Sequence, residues 1–332
     1  MKKILILLLP LLTVFLVEGS ALSVRRVRSG IIIVDTGANV RALEPYKGCP
    51  DGGSGYARIV NKYRQTFPNQ RVYCMVIPNA IAYYCPDTAR AWTRQERPVI
   101  EAINRQLEDG VQTVDVYPTL QQHLTEPIYS RTDHHWSPLG AYYAAQEFAR
   151  SAGVPFKSLN EYEPRVIRDY VGSMYTFSRD DAVKQAPEEF VYYVPCGIDF
   201  TATRICYNLT KNRSAVASQK EPEEFGFFRE YADGSSAAYC TFMGGDTNTT
   251  SVRTSTPGSR RLLILKDSYG NALPGYLFGS FQEIHVVDCR YFTQNIVKFV
   301  DEHQITDILF ANNLVHASMA RTCETYDRYL RQ

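Results

Sequence analysis

Apolar residues along this chain follow two rhythms. Short continuous runs suited to buried strands alternate with stretches whose apolar side chains recur every three or four positions, as on one helix face. Residues 31–34 read as the first strand, and a glycine-rich loop follows from Gly48 to Gly55. A helical pattern covers residues 57–67, with Ile59, Val60 and Tyr63 on one side. The run 72–77, stopped by Pro78, suits a strand buried on both faces. Val99, Ile103 and Leu107 predict a helix with Gly110 just past its end, and residues 114–117 predict the next strand. Ser137 is well placed to cap a helix that begins at Pro138 and runs on through residues 141–150.

Between Pro155 and Ser259 the rhythm changes. Alternating, aromatic-rich pieces such as 190–194 and 201–207 predict antiparallel strands separated by polar loops. The first rhythm then returns, with strands at 262–265, 284–287 and 308–311 and a helix around 294–303. Strand–helix alternation on both sides of an insertion predicts an α/β fold on a mostly parallel, doubly wound sheet. The expected organisation is one α/β domain in two parts, 22–154 and 260–332, interrupted by a β-rich insertion at 155–259.

Lys2 and Lys3 precede an apolar run over 4–17, and Gly19, Ser20 and Ala21 follow it. That is the pattern of a signal peptide over 1–21, and it predicts an exported protein, periplasmic or extracellular; an uncleaved anchor is the alternative. Eight cysteines suit an oxidising compartment, and none forms the CxxC pair of a zinc ribbon. Cys196 with Cys206, and Cys74 with Cys85, are candidate local staples, and buried thiols are the alternative. A net charge of +1 argues against a nucleic-acid surface, because Arg25, Arg26 and Arg28 make only a short basic patch.

The densest chemistry lies in Asp133-His134-His135-Trp136, a carboxylate and two imidazoles immediately before the predicted helix start. Far downstream, the strand at 262–265 runs into Lys266-Asp267-Ser268-Tyr269-Gly270. In open α/β sheets, ligand sites gather at the carboxyl ends of strands, which is where Ser268 stands. A serine hydroxyl is a weak nucleophile at neutral pH and needs a base within hydrogen-bond reach. The surroundings of Ser268 do not match the G-x-S-x-G elbow of α/β-hydrolases. Taken singly, Ser268 could be a helix cap, and Asp133 with the paired histidines could hold a metal. Trp136 reads as a packing residue that shields the site, with sugar stacking as the alternative. No cofactor is expected.

Residues 132–142, the block Leu263 to Tyr269, the stretch 284–292 around Val287-Asp288-Cys289-Arg290-Tyr291, and the Gly-Ser-x-Tyr element within 169–175 together resemble the DHHW protein family. That family is similar to the SGNH/GDSL hydrolases, especially their alginate O-acetyltransferase-like branch. The resemblance implies a three-layer αβα sandwich with Asp133 as orienting acid, His135 as base and Ser268 as nucleophile. His134 is the second candidate for the base. The Asp-x-His order fits that branch, whereas common SGNH hydrolases have Asp-x-x-His and this chain has Trp136 at the last position. For an oxyanion hole, the resemblance adds Gly172, Gly244 or Gly245, and Asn271, Asn312 or Asn313, to the Ser268 N–H. Tyr269 and Trp136 are further candidates for substrate contact. The activity implied is that of an exported serine O-acetyltransferase or acetylesterase acting on an acylated carbohydrate or polysaccharide of the cell envelope or exterior. A transferase of this kind would draw its acyl group from a membrane partner. The alternative is a non-catalytic carbohydrate-binding or envelope protein on the same scaffold.

Overall fold

The long apolar runs end side by side. In the computed structural model, which describes residues 22–332 except 38, 213 and 214, strands β1 (Ser23–Arg26), β2 (Ile32–Asp35) and β3 (Val40–Leu43) form a small antiparallel sheet. The expected leader over 1–21 lies outside the described residues. β4 (Arg71–Ile77) and β5 (Val111–Thr113) enter the main sheet, while β6 (Tyr162–Tyr170) and β7 (Glu188–Pro195) pair with each other. Then come β8 (Phe200–Leu209), β9 (Val216–Gln219), β10 (Glu223–Glu224) and β11 (Asn248–Thr254). β12 (Arg261–Lys266), β13 (Glu283–Asp288) and β14 (Asp307–Asn313) complete the set.

The main sheet has nine strands in the order β10-β8-β11-β13-β12-β14-β4-β5, with β9 also paired to β8. Its heart, β13-β12-β14-β4-β5, is parallel. β11 and β8 extend it antiparallel from β13, so strands from the segment 155–259 become part of the same sheet. Parallel strands must be covered on both faces, which explains their unbroken apolar runs. Adjacent rings show the two covers. Phe310 of β14 packs edge-on against Tyr63 and Tyr326, from helices Ser54–Thr66 and Ala320–Tyr329, at 5.0 and 5.2 Å. Tyr73 of β4, on the opposite face, packs against Phe148 of helix Pro138–Ala152 at 5.1 Å. The result is the expected helix–sheet–helix sandwich.

Several local expectations change. Residues 114–117 are not a strand: β5 ends at Thr113, and Asp115 caps a helix Val116–Gln122 by accepting the Tyr117 N–H. The short-range Asx contact outweighed the apolar alternation. The preceding helix stops at Arg105, and Gly110 instead turns the chain into β5 with φ +90°. The run 31–34 does form a strand, but in the small sheet rather than the main one. Neither staple forms, and all eight cysteines are free thiols. Cys206 lies on β8, whereas β7, which leads to Cys196, pairs with β6, so the supposed hairpin does not exist. Among the described residues, no helix is long and apolar enough to cross a membrane.

Candidate active site

The carboxyl ends of β4, β14, β12 and β13 stand in register, with Lys266 level with Ala311 and Asp288, and Ala311 level with Met75. Just past this row, Asp267 caps a short 3-10 turn, Ser268–Ala272, by accepting the Tyr269 N–H at 2.9 Å. Asp267, not Ser268, is therefore the cap. Its other oxygen accepts the Asn313 N–H at 2.7 Å, tying the turn to the end of β14.

The loop that faces Ser268 is closed at its base. Tyr129 and Trp136 form an isolated antiparallel bridge, and the Ser137 N–H donates to Ile128 O at 3.0 Å. Ser137 then caps the next helix through Gly140 N, as expected from the sequence. Gly140 is required there, since a Cβ would lie 2.3 Å from the Ile128 carbonyl oxygen. Pinned in this way, Asp133 Oδ1 accepts both the backbone N–H of His135 (3.0 Å) and its ring Nδ1–H (2.6 Å). This selects the tautomer with a lone pair on Nε2, and the Ser268 hydroxyl lies 2.8 Å from it. Asp133, His135 and Ser268 are all buried. Burial pushes the Asp133 carboxyl up, but the His135 and His134 rings and the Ser173 N–H at 2.8 Å outweigh it and hold the carboxyl well below its usual range.

His134 sits differently. Its Nδ1 lies 2.5 Å from the Ser173 hydroxyl, and its ring lies 3.7 Å from that of His135, tilted by 37°. Burial first, and the neighbouring His135 second, push its pKa down to about 3. The ring stays neutral, and Ser268 reaches His135 instead. Asp133, His134 and His135 also place one ligand atom each within 4.8 Å of one another, but Asp133 Oδ1 and His135 Nδ1 already pair, and His134 Nδ1 pairs with Ser173.

A pH prediction follows from this half-buried ring. An unfolded histidine binds its proton near about 6.5, so between there and about 3 the unfolded state holds the extra proton. Stability therefore falls as pH drops through that window. A His134→Gln variant is expected to show a flatter decline between about pH 6.5 and about pH 4 in urea unfolding. Parallel curves for the two proteins would refute a ring held neutral by its surroundings.

Several candidates for substrate contact turn out to be braces. Trp136 is fully buried, with its indole N–H on Tyr269 O at 3.0 Å, so it offers no face to a sugar. Tyr269 is also buried, and its hydroxyl donates to His134 O. Together they lock the two loops. Gly172 lies behind the acid rather than in front of the serine. Its N–H donates to Thr132 Oγ1 at 3.2 Å, and a Cβ there would meet Asp133 Cβ at 2.4 Å. Gly245 donates its N–H to Phe242 O, and both it and Gly244 are turn residues with φ +101° and +73°. Asn312 and Asn313 serve Asp267 and nearby tyrosines, and Asn313 Oδ1 caps the helix Leu314–Ala317. Asn271 turns its amide N–H to Asp246 at 2.7 Å.

Sequence reasoning missed other residues. Glu188 of β7 accepts from Ser130 Oγ, Arg131 N, Thr132 N and Thr132 Oγ1 at 2.5–2.9 Å, and so holds the loop ahead of Asp133. The Tyr239 ring stacks on His135 at 3.8 Å and 4°, and its hydroxyl donates to Tyr269 O. Asp246 pairs with Arg290 at 3.0 Å beside the Lys266–Asp288 pair at 2.8 Å. Ser173 had a sequence signal in the Gly-Ser-x-Tyr element, and Lys266, Asp288 and Arg290 stand in the blocks quoted for the family resemblance; Glu188, Tyr239 and Asp246 had none.

The helix–sheet–helix sandwich is an SGNH-like α/β fold, and serine, histidine and aspartate converge past the ends of its parallel strands. The chain belongs to the DHHW family, whose sequence model matches residues 42–287. A DHHW family protein from Eubacterium siraeum DSM 15702 is 35% identical over 89% of this chain and 95% of its own, with a TM-score of 0.80. PatB1 of Bacillus cereus, in a structure with a sulfonyl adduct, is 16% identical over 91% of this chain and 98% of its own, with a TM-score of 0.68. A second PatB1 structure gives 17% identity over 88% and 99% of the two chains and a TM-score of 0.67. At that identity the likeness is one of fold. No curated protein matches the chain in sequence.

Proposed function

We propose that this protein is an exported serine acyl-ester enzyme, an O-acetyltransferase or acetylesterase, acting on a carbohydrate of the cell envelope or exterior. The observation that carries this reading is the buried relay from Asp133 through His135 Nε2 to the Ser268 hydroxyl. His135 takes the hydroxyl proton as Ser268 Oγ attacks the acyl carbonyl, and Asp133 stabilises the imidazolium that forms. The tetrahedral intermediate collapses to an acetyl-Ser268 ester as His135 returns the proton to the departing alkoxide. A sugar hydroxyl or water then takes the acetyl group by the reverse path. The backbone N–H of Ser268, at the open start of its 3-10 turn, is the first oxyanion donor.

The fold likeness to PatB1, whose structure carries a sulfonyl adduct, suggests the first test. Phenylmethanesulfonyl fluoride is expected to add one sulfonyl group to the protein, located on Ser268 by peptide mass spectrometry, and to stop turnover of 4-nitrophenyl acetate in proportion. Labelling elsewhere, with turnover intact, would remove Ser268 from the mechanism. A scaffold that only binds glycans gives no account of a carboxylate held ionised behind an imidazole and a serine. Glycan affinity retained in both Asp133→Ala and Ser268→Ala proteins, with no esterase activity in any form, would favour it.

A further inference from the structure

The helix Ser173–Ser178 is tied to the loop that carries acid and base. The Ser173 N–H donates to Asp133 Oδ2 at 2.8 Å, its hydroxyl meets His134 Nδ1, and the Met174 N–H donates to Thr132 O at 2.9 Å. Met174 is buried in an apolar cluster with Ile33 and Val40 of the small sheet. Anchored on that side, the helix turns one apolar ring outwards. Phe177 is 43% exposed, and among the described residues no other phenylalanine, tyrosine or tryptophan is exposed.

A single exposed apolar side chain is ordinary on a protein surface and on its own needs no explanation. The position of this one does. Its ring lies 5.6 Å from that of His134, tilted by 41°, and the His134 ring lies 3.7 Å from that of His135. Phe177 therefore stands one side chain away from the base that meets Ser268. The His134 side chain is 25% exposed, and of its two ring nitrogens only Nδ1 is hydrogen-bonded among the described residues. Its Nε2 is left for a polar group beside the Phe177 ring. A neutral imidazole bonds hydroxyl and carbonyl groups without calling for a charge.

We infer that Phe177, with the His134 ring beside it, is the platform on which a sugar ring of the substrate stacks while a neighbouring ester or hydroxyl meets Ser268. The inference rests on the acyl-ester reading above and adds the contact that recognises the saccharide. An aromatic face covers the C–H face of a pyranose and leaves the oxygen substituents at the rim for polar partners. An open-chain ester has no such face. Trp136 and Tyr269, the aromatics that the sequence suggested for this contact, are buried braces, whereas Phe177 is accessible.

Turnover of two esters by the whole protein tests this: β-D-glucose pentaacetate, which has a sugar ring, and glycerol triacetate, which has none. Phe177→Leu keeps apolar bulk and removes the ring. It is expected to lower the ratio of kcat/KM for the ring ester to that for the open-chain ester by at least about five-fold, chiefly through KM. Phe177→Tyr, which keeps the ring, is expected to hold that ratio within about two-fold of the unaltered protein. Unfolding midpoints in urea should barely move in either variant, because the side chain is exposed. A ratio unchanged in Phe177→Leu, an equal fall in Phe177→Tyr, or an unaltered protein that turns over only the open-chain ester overturns the platform. Ser268-dependent turnover in any of those cases would leave the serine mechanism standing. Turnover of neither ester, or turnover undiminished in Ser268→Ala, would instead reject the acyl-ester reading and the platform with it.

Discussion

A Ser268→Ala protein is expected to lose turnover of 4-nitrophenyl acetate by about 10³-fold or more while keeping its fold. The hydroxyl is the only group of that side chain, and it lies 2.8 Å from His135 Nε2. Its loss removes the attacking oxygen but leaves the turn intact, because Asp267 holds the cap and the link to β14. Urea unfolding is expected to move by no more than about 1 kcal/mol. A His135→Ala protein is expected to be similarly impaired, and the double variant no worse than either alone, because serine and base act as one unit. Independent losses that multiply would mean the two residues serve different steps. Full activity in Ser268→Ala would end the acyl-enzyme reading.

The second large effect concerns stability. Lys266→Met is expected to cost about 3–5 kcal/mol in urea unfolding, because it leaves buried negative charge without its partner. The Lys266 ammonium lies 2.8 Å from Asp288 Oδ2 and 3.6 Å from Asp246 Oδ1, and both Lys266 and Asp288 are buried. Arg290 pairs with both carboxylates, so two cations balance two anions. Burial raises the Asp288 carboxyl, and the Lys266 and Arg290 charges reverse that and bring it below its usual value. Removing Lys266 breaks the balance; adding Asp288→Asn is expected to recover part of the loss. Activity should fall along with stability. The Lys266 stem lies directly under the serine turn, where a Cβ on Gly270 would meet Lys266 Cβ at 2.4 Å. An unchanged unfolding midpoint in Lys266→Met would show that the pair contributes nothing net.

Legibility depended on distance along the chain. The helix from Pro138 could be read because its cap, its first proline and its stripe are all local. The paired apolar runs could be read because parallel strands are buried on both faces. The strand expected at 114–117 failed for an equally local reason, an aspartate whose side chain took the Tyr117 N–H. The cysteine staples failed for a non-local one, since strand partners decide which sulfurs face each other and β7 turned to β6.

For the site, the chain alone set a carboxylate beside two imidazoles, close enough for an Asx contact across two residues to join Asp133 to His135. It also placed a serine past a strand end and, through family resemblance, named it as their partner. Which of the two imidazoles that serine meets was decided only in three dimensions. Ser173 takes the His134 ring, and Tyr239 stacks on the His135 ring. Glu188 closes the acid loop from a strand more than fifty positions away, and the Lys266–Asp288 pair joins two strand ends side by side. Hydrogen bonds and ion pairs depend on distance in space, and a one-dimensional pattern reports that distance only when the chain itself is short between the partners.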